Sequence, residues 1–169
     1  RSIPVAGKDF TQAMTVSLAS EKGRVQLSWE EAERIKRIVG VPSEVEPQMI
    51  EDKISTGQIL SMLRSPIELL ISEIERCFDY YREETGGGKI DSMLLYGGGA
   101  ELKGFAKTLS SQLGIEARMG NPLSRLFLRK AMPESLTRME HRLESAVGAA
   151  LGGSQGVPLN LLPPELKEE

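Results

Sequence analysis

Side chains suited to metal binding or covalent catalysis are scarce in this sequence of 169 residues, which has one cysteine and one histidine. Cys77 cannot form an internal disulfide, and it lies in an apolar helical pattern, where a free cysteine usually acts as a small buried hydrophobic residue. His141 lies in a charged helical stretch, so neither a zinc cluster nor a histidine-based triad is supported. A chain with a single cysteine, which cannot form an internal disulfide, is typical of proteins of a reducing cytoplasmic compartment.

An excess of positive charge and long hydrophobic runs are also missing. Lys+Arg 21 against Asp+Glu 24 gives a net charge of -3, and no basic stretch is interleaved with aromatic residues, which argues against nucleic acid as a partner. The longest charge-free stretch, 145–164, contains glycines and prolines that would interrupt a membrane-spanning helix. With 40% hydrophobic residues, the chain is expected to form one or two compact lobes.

The first part of the chain alternates strand and helix signals. Ser2–Val5 is predicted to be a strand that Gly7 ends, and the abrupt start suggests a piece of a longer protein. Asp9 is predicted to cap a helix over 10–19, which a polar loop follows. A capping box in "SWEEAERIKRIVG" then predicts a helix that Gly40 ends.

The middle of the chain has a mixed pattern followed by a long helix. Residues 41–54 contain two prolines and are predicted to be a loop with a short helix. Pro66 is expected in the first turn of the long amphipathic helix, since Pro fits that position. Its apolar residues recur at helical spacing: Ile67, Leu70, Ile71, Ile74, Phe78 and Tyr81.

A β-α-β pattern follows, which is typical of a parallel sheet. Ile90–Tyr96 and Ile115–Met119 are the predicted strands, and Leu102–Leu113 is the helix between them, with Gly114 as its C-terminal cap. Asn121 and Pro122 predict a turn. A last helix is predicted over 135–151, and its small residues allow close packing against a sheet.

Three consecutive glycines, Gly97, Gly98 and Gly99, lie between the first of these strands and the helix. Bare main chain at the carboxyl end of a parallel strand is where α/β sheets approach nucleotides. Leu102 stands where a dinucleotide fingerprint requires Gly or Ala, which weakens that interpretation. A tight turn that needs positive φ is the alternative.

A second candidate surface is the capped helix "EEAERIKR". Glu33 and Lys36 are three residues apart and share one face, where Lys36 can reach a ribose or phosphate oxygen and Glu33 can accept from ribose hydroxyls. The alternative is a solvated helix face with an intrahelical ion pair.

Several stretches together resemble the PilM family of type IV pilus assembly proteins, which belong to the actin-like ATPases and are related to FtsA. The matching stretches, in order, are "SIPVAGKDFTQAM", "SWEEAERIKR", "EIERCFDYYR", "MLLYGGGAELKGFAKTLSSQLGI", "NPL" and "ESAVGAALGG". This resemblance implies an α/β fold, the second lobe of the actin-like ATPase (ribonuclease H-like) fold, with a mixed sheet, flanking helices and a smaller helical subdomain. The implied sheet consists of 2–5, 90–96 and 115–119.

The implied subdomains are a sheet-containing one (1–9 and 67–152), an inserted smaller one (10–66), and a linker and tail (153–169). By the same resemblance, Gly97, Gly98, Gly99 and Ala100 would lie against the adenosine and its nearest phosphate. The implied cover of adenine and ribose consists of Glu33, Lys36 and Arg37.

Gly7 matches the second glycine of a two-glycine hinge between subdomains in the family. The first glycine of that hinge is replaced by Ala6 in this sequence. The implied cofactor is ATP with Mg²⁺. The phosphate loops and acidic residues that hold magnesium in the family have no counterpart in the sequence, so this chain alone is expected to be inactive and to contain no metal ligands.

The tail "LNLLPPEL" resembles the opening of PilN, with Leu159, Leu161 and Leu162 as candidate anchors. The implied partners are a PilN-like membrane protein or its N-terminal peptide and other inner-membrane pilus assembly proteins. The implied location is cytoplasmic, peripheral to the inner membrane, with indirect membrane association. Two alternatives stay open: the C-terminal lobe of a sugar or acid kinase of the same superfamily, and a structural domain without a ligand.

Overall fold

A computed structural model describes residues 2–20, 23–42, 48–124, 133–134 and 139–154. The chain divides into two compact units, residues 1–120 and 121–169. The elements of the first unit are, in order, α1 (Gly7–Met14), β1 (Leu18–Ser20), β2 (Gly23–Val25), α2 (Trp29–Val39), β3 (Met49–Ile50), β4 (Ile54–Ser55), α3 (Thr56–Thr85), β5 (Ser92–Leu95), α4 (Phe105–Leu113) and β6 (Glu116–Met119). The second unit contains a short 3₁₀ turn (Glu140–Arg142) and α5 (Glu144–Ser154).

Helix α1 begins and ends earlier than the sequence predicts. Asp9 is not its N-cap but its third residue, and the Asp9 carboxylate accepts a hydrogen bond from the backbone N–H of Ala6 at 2.7 Å. Because this carboxylate satisfies the amide that precedes the first turn, the helix starts at Gly7. Ala19, predicted as helical, lies in β1.

Helix α2 confirms the predicted capping box. The backbone N–H of Glu31 donates to the Ser28 hydroxyl at 3.2 Å, and the Glu31 carboxylate accepts from the Ser28 backbone N–H at 2.9 Å. Gly40 ends the helix with a φ of 72°. Both ends are therefore specified by local sequence.

Helix α3 starts well before the predicted position and runs for 30 residues, across the boundary between the two expected subdomains. Ser55 and Gln58 form a second capping box, with bonds of 2.9 and 3.2 Å. Pro66 therefore lies inside the helix and not in its first turn. A proline inside a helix removes its own amide and the bond that amide would make, and here buried apolar residues on both sides, including Met62 and Ile67, hold the helix together.

Two short antiparallel pairs, β1–β2 and β3–β4, lie mainly where loops are predicted, although Leu18 and Ala19 of β1 are predicted to end a helix. The loop with a short helix expected over 41–54 is instead a hairpin within the described residues 48–55, and residues 43–47 lie outside the described part. Strands of two or three residues are too short to show the alternation that reveals a strand.

Strands β5 and β6 are parallel and joined by α4, which confirms the predicted β-α-β unit. Met93 pairs with Ala117, whose backbone N–H donates to the Ser110 hydroxyl of α4 at 2.7 Å. Ser2–Val5 is not a strand in the described structure, so the prediction of a third strand here is wrong. A four-residue segment forms a strand only where another backbone pairs with it.

The core of the first unit lies where α1, α2, α3 and α4 meet. Phe10 of α1 and Phe105 of α4 contact edge to face, with ring centroids 5.9 Å apart. The largest fully buried apolar side chains are Met14, Ile35, Ile54, Ile59, Leu63 and Leu109. Helices and small sheets thus share one apolar core, as an α/β fold requires.

The second unit begins with the predicted turn, in which the Asn121 side chain accepts from the backbone N–H of Leu123 at 2.8 Å. The predicted last helix is divided within its described residues into the 3₁₀ turn and α5, and residues 135–138 lie outside the described part. So does the tail with its three leucine anchors. Among the described helices, none has both the length and the hydropathy to cross a bilayer.

The tip of the β3–β4 hairpin offers a test of backbone strain. Glu51 and Asp52 have φ of 52° and 54°, a region that costs a non-glycine residue about 1 kcal/mol. We expect Asp52→Gly to raise the free energy of unfolding by up to about 1 kcal/mol, measured by urea denaturation. Asp52→Ala removes the same charge but keeps the strain, so an equal gain in that variant would contradict the backbone explanation.

Candidate functional site

A buried ammonium group joins α2 to α1. The Lys36 side chain is 7% exposed, and its Nζ donates to the Gly7 carbonyl at 2.8 Å, the Thr11 hydroxyl at 2.7 Å and the Glu33 carboxylate at 2.6 Å. A lysine ammonium has three N–H donors. All three are therefore used inside the protein.

Glu33 is the anion of this cluster. Its Oε2 accepts from Lys36 and, at 2.6 Å, from the Thr11 hydroxyl, while its Oε1 accepts from Arg37 Nε at 2.7 Å. The Lys36 bond, followed by the Thr11 and Arg37 bonds, lowers the pKa of Glu33 from 4.5 to about 2. The carboxylate therefore stays ionised at neutral pH.

Glu33, Lys36 and Arg37 share one face of α2, because positions three and four apart are neighbours on a helix. They differ in how deeply their side chains are buried. Side-chain exposure rises from 7% at Lys36 through 28% at Glu33 to 73% at Arg37. Lys36 is thus an internal contact, and Arg37 presents the accessible positive charge. Gly7 is the first residue of α1 and contributes its carbonyl oxygen.

The glycine turn begins two residues after the end of β5. Gly97 has a φ of 79°, and its carbonyl accepts from the backbone N–H of Ala100 at 3.1 Å. A Cβ placed on Gly98 or Gly99 would meet no atom within 4 Å. Ala100 and Leu102 are buried and anchor the segment. The turn thus presents open main chain, and only Gly97 has the positive φ that requires glycine.

A backbone contact brings the end of α2 to the start of α4. The Val41 N–H donates to the Lys103 carbonyl at 2.8 Å. A Cβ on Gly40 would overlap the Lys103 carbonyl, and a Cβ on Gly104 would overlap that of Val41. These glycines therefore permit α2 to approach the segment that continues from the glycine turn, and both parts of the candidate site belong to one unit.

Part of this arrangement has no signal in the sequence. The sequence predicts only that Gly40 ends a helix, and it assigns no role in the site to Thr11, Lys103 or Gly104. A glycine after a helix predicts a cap, but nothing in a single sequence indicates which backbone lies against it. The described residues contain no group of three or more His, Cys, Asp or Glu side chains able to hold a metal ion.

A family model and a solved structure indicate the same kind of protein. A family model described as type IV pilus assembly protein PilM matches residues 12–154. Among solved structures, the chain is similar to one described as a PilM-PilN type IV pilus biogenesis complex, with 25% identity and a TM-score of 0.59. The similarity covers 88% of this chain, which spans 37% of the length of that one. Comparison with curated proteins gave no match.

The close approach at Gly40 predicts a large effect of one methyl group. Gly40→Ala is expected to lower the free energy of unfolding by about 3 kcal/mol, because Gly40 has a φ of 72° and a ψ of -139°, a conformation almost restricted to glycine, and the added Cβ overlaps Lys103. Gly114 has a φ of 67° and a ψ of 18°, which is the ordinary left-handed region, and has open space around it. Gly114→Ala should therefore cost only about 1 kcal/mol, and equal losses in urea denaturation would contradict the larger cost expected from the backbone and the overlap at Gly40.

The buried ion pair predicts an effect on stability and on its pH dependence. Glu33→Gln leaves the Lys36 ammonium buried without its anion and should cost about 3 kcal/mol at pH 7. Because folding lowers the pKa of Glu33, its stabilising contribution is complete above pH 4.5 and is lost as pH falls toward about 2. The variant should lose stability less steeply over that range.

Two further variants make this measurement specific. Glu30→Gln removes an exposed carboxylate from the same helical turn and should change stability by less than about 1 kcal/mol. Glu33→Gln combined with Lys36→Met removes both charges and should be more stable than Glu33→Gln alone. Chemical denaturation at several pH values measures both effects, and a double variant less stable than Glu33→Gln would contradict the proposed cost of an unpaired ammonium.

Proposed function

Because the chain belongs to the family of type IV pilus assembly proteins PilM, we propose that it forms the adenosine-binding part of an ATP-binding, actin-like scaffold in pilus assembly. The family match confirms the resemblance seen in the sequence. The observation that carries the proposal is the open main chain at Gly98 and Gly99, shortly after the end of the parallel strand β5. Main chain without side chains permits close approach of a nucleotide.

In this proposal the glycine turn and α2 form opposite walls of the nucleotide site. Gly97, Gly98, Gly99 and Ala100 contact the adenosine and its nearest phosphate. Glu33 Oε1, which accepts from Arg37 Nε, also accepts a hydrogen bond from a ribose hydroxyl. The Arg37 guanidinium supplies accessible positive charge. Lys36 fixes Glu33, because its three donors are already bonded.

The rest of the site is proposed to come from a longer protein. We propose that the chain is the second lobe of an actin-like fold, with residues 1–9 and 67–152 as the sheet-containing subdomain and 10–66 as the inserted one. ATP binds with Mg²⁺, and the phosphate and metal contacts come from the other lobe. Since phosphoryl transfer depends on those contacts, this chain alone has no ATPase activity.

The proposed partner follows from the similar solved complex, which contains PilN. We propose that the complete protein binds a PilN-like membrane protein or its N-terminal peptide, together with other assembly proteins of the inner membrane. It would then be cytoplasmic and attached to the membrane only through these partners. Nucleotide would act as a latch between its two lobes.

Nucleotide binding is tested by isothermal titration of the complete protein containing this chain with ATP and Mg²⁺. Gly98→Leu should lower the ATP affinity at least about ten-fold without lowering the thermal midpoint, because Gly98 is exposed and a Cβ there meets no protein atom within 4 Å, while the leucine obstructs the proposed site. Gly148→Leu, also in open space but on α5, should leave affinity unchanged.

A second pair of variants tests the α2 wall. Arg37→Ala should weaken ATP binding about ten-fold, as expected for one charge-assisted contact. Arg34→Ala removes the same charge one turn earlier, where Arg34 pairs with Glu51 at 2.6 Å, and should have little effect. Wild-type protein that does not bind ATP, or Gly98→Leu protein with unchanged affinity, would overturn the proposed function.

A further inference from the structure

Thr11 is the polar residue of the cluster that no sequence pattern identifies. It lies in α1 with its side chain fully buried. A threonine inside a helix usually directs its hydroxyl to the carbonyl four residues earlier. That oxygen, on Gly7, is 3.1 Å away, whereas Glu33 Oε2 is 2.6 Å away. The shorter distance assigns the single hydroxyl proton to Glu33, across the boundary between α1 and α2.

The hydroxyl also accepts a hydrogen bond from Lys36 at 2.7 Å. An ammonium only donates and a carboxylate only accepts, but a hydroxyl does both. Thr11 therefore bonds to both members of the ion pair simultaneously. The three groups form a closed triangle, because Lys36 also donates directly to Glu33.

This triangle determines which oxygen of Glu33 faces outward. Two donors, Lys36 and Thr11, occupy Oε2, so Oε1 is left to the exposed Arg37. Without Thr11, rotation of the carboxylate is restrained on its inner side by the flexible lysine alone. An unfixed carboxylate binds a ribose hydroxyl less well, because ordering it costs entropy at the moment of binding.

We propose that Thr11 is a positioning residue of the nucleotide site: its buried hydroxyl holds the Lys36–Glu33 pair so that Glu33 Oε1 and Arg37 face the ligand. This inference rests on the proposed function. Thr11 does not contact the nucleotide, and it acts through Glu33. A purely structural threonine would affect folding stability and leave the carboxylate and the ligand affinity unchanged.

The test compares three variants of the complete protein. Thr11→Val removes the hydroxyl and keeps the branched shape, Thr11→Ser keeps the hydroxyl, and Thr108→Val is the matched control. The Thr108 hydroxyl, in α4, donates at 3.0 Å to the carbonyl of Gly104, four residues earlier. Thr11 has the same relation to the Gly7 carbonyl. Thr108 takes no part in the cluster.

Two readouts separate positioning from folding. The carboxyl pKa of Glu33, followed by carbon NMR between pH 2 and 5, should rise in Thr11→Val from about 2 toward its ordinary value of 4.5. The ATP affinity, measured by titration calorimetry, should fall about ten-fold, the loss expected for one hydrogen bond to a charged group. Thr11→Ser and Thr108→Val should retain wild-type values of both.

The outcomes distinguish this inference from the proposed function. Wild-type protein that does not bind ATP overturns the proposed function and the inference with it. Wild-type binding with unchanged affinity in Thr11→Val overturns the inference alone. If Thr11→Val does not fold, Thr11→Ser decides, because this variant keeps the hydroxyl. A ten-fold loss of ATP affinity in folded Thr11→Ser contradicts the inference, and a wild-type affinity supports it.

Discussion

A lysine ammonium group that is removed from water must be surrounded by acceptors, and this requirement organises the interface between α1 and α2. Lys36 meets it with a backbone carbonyl, a hydroxyl and a carboxylate. Transferring such an ion without partners costs many kcal/mol. The acceptors therefore have to stay in place, and Gly7, Thr11 and Glu33 are fixed relative to one another.

The same constraint determines which groups remain available for a ligand. The inner side of α2 is saturated, so its chemistry is directed outward through Glu33 Oε1 and Arg37. Just beyond the last turn of α2, which contains Lys36 and Arg37, Gly40 and Gly104 bring two backbones into contact. The buried ion pair thus fixes α2 to α1, and the backbone contact fixes it to the segment that follows the open glycine turn.

The sequence predicted features whose cause is local. The Ser28–Glu31 capping box and the β5–α4–β6 unit depend on residues close together in the chain, and both are present. Thr11 and Lys36 are 25 residues apart, and no local pattern indicates their hydrogen bond. Predictions were wrong where a tertiary contact or a second cap outweighed local propensity, as at Ser2–Val5, which has no strand partner among the described residues, and at Pro66.

Local stability also differs along α3, which contains Pro66. The residue has no amide, so the helical ladder lacks one bond at this point. The segment before Pro66 is anchored by Ile59 and Leu63, and Ile67 and Ile71 continue to pack in the core after it, whereas Asp79 to Tyr81 are exposed. Opening of the last turns of α3 breaks few apolar contacts and leaves the segment around Pro66 in place. One continuous helix thus has unequal local stability along its length, with its C-terminal turns opening at a lower free energy than the turns on either side of Pro66.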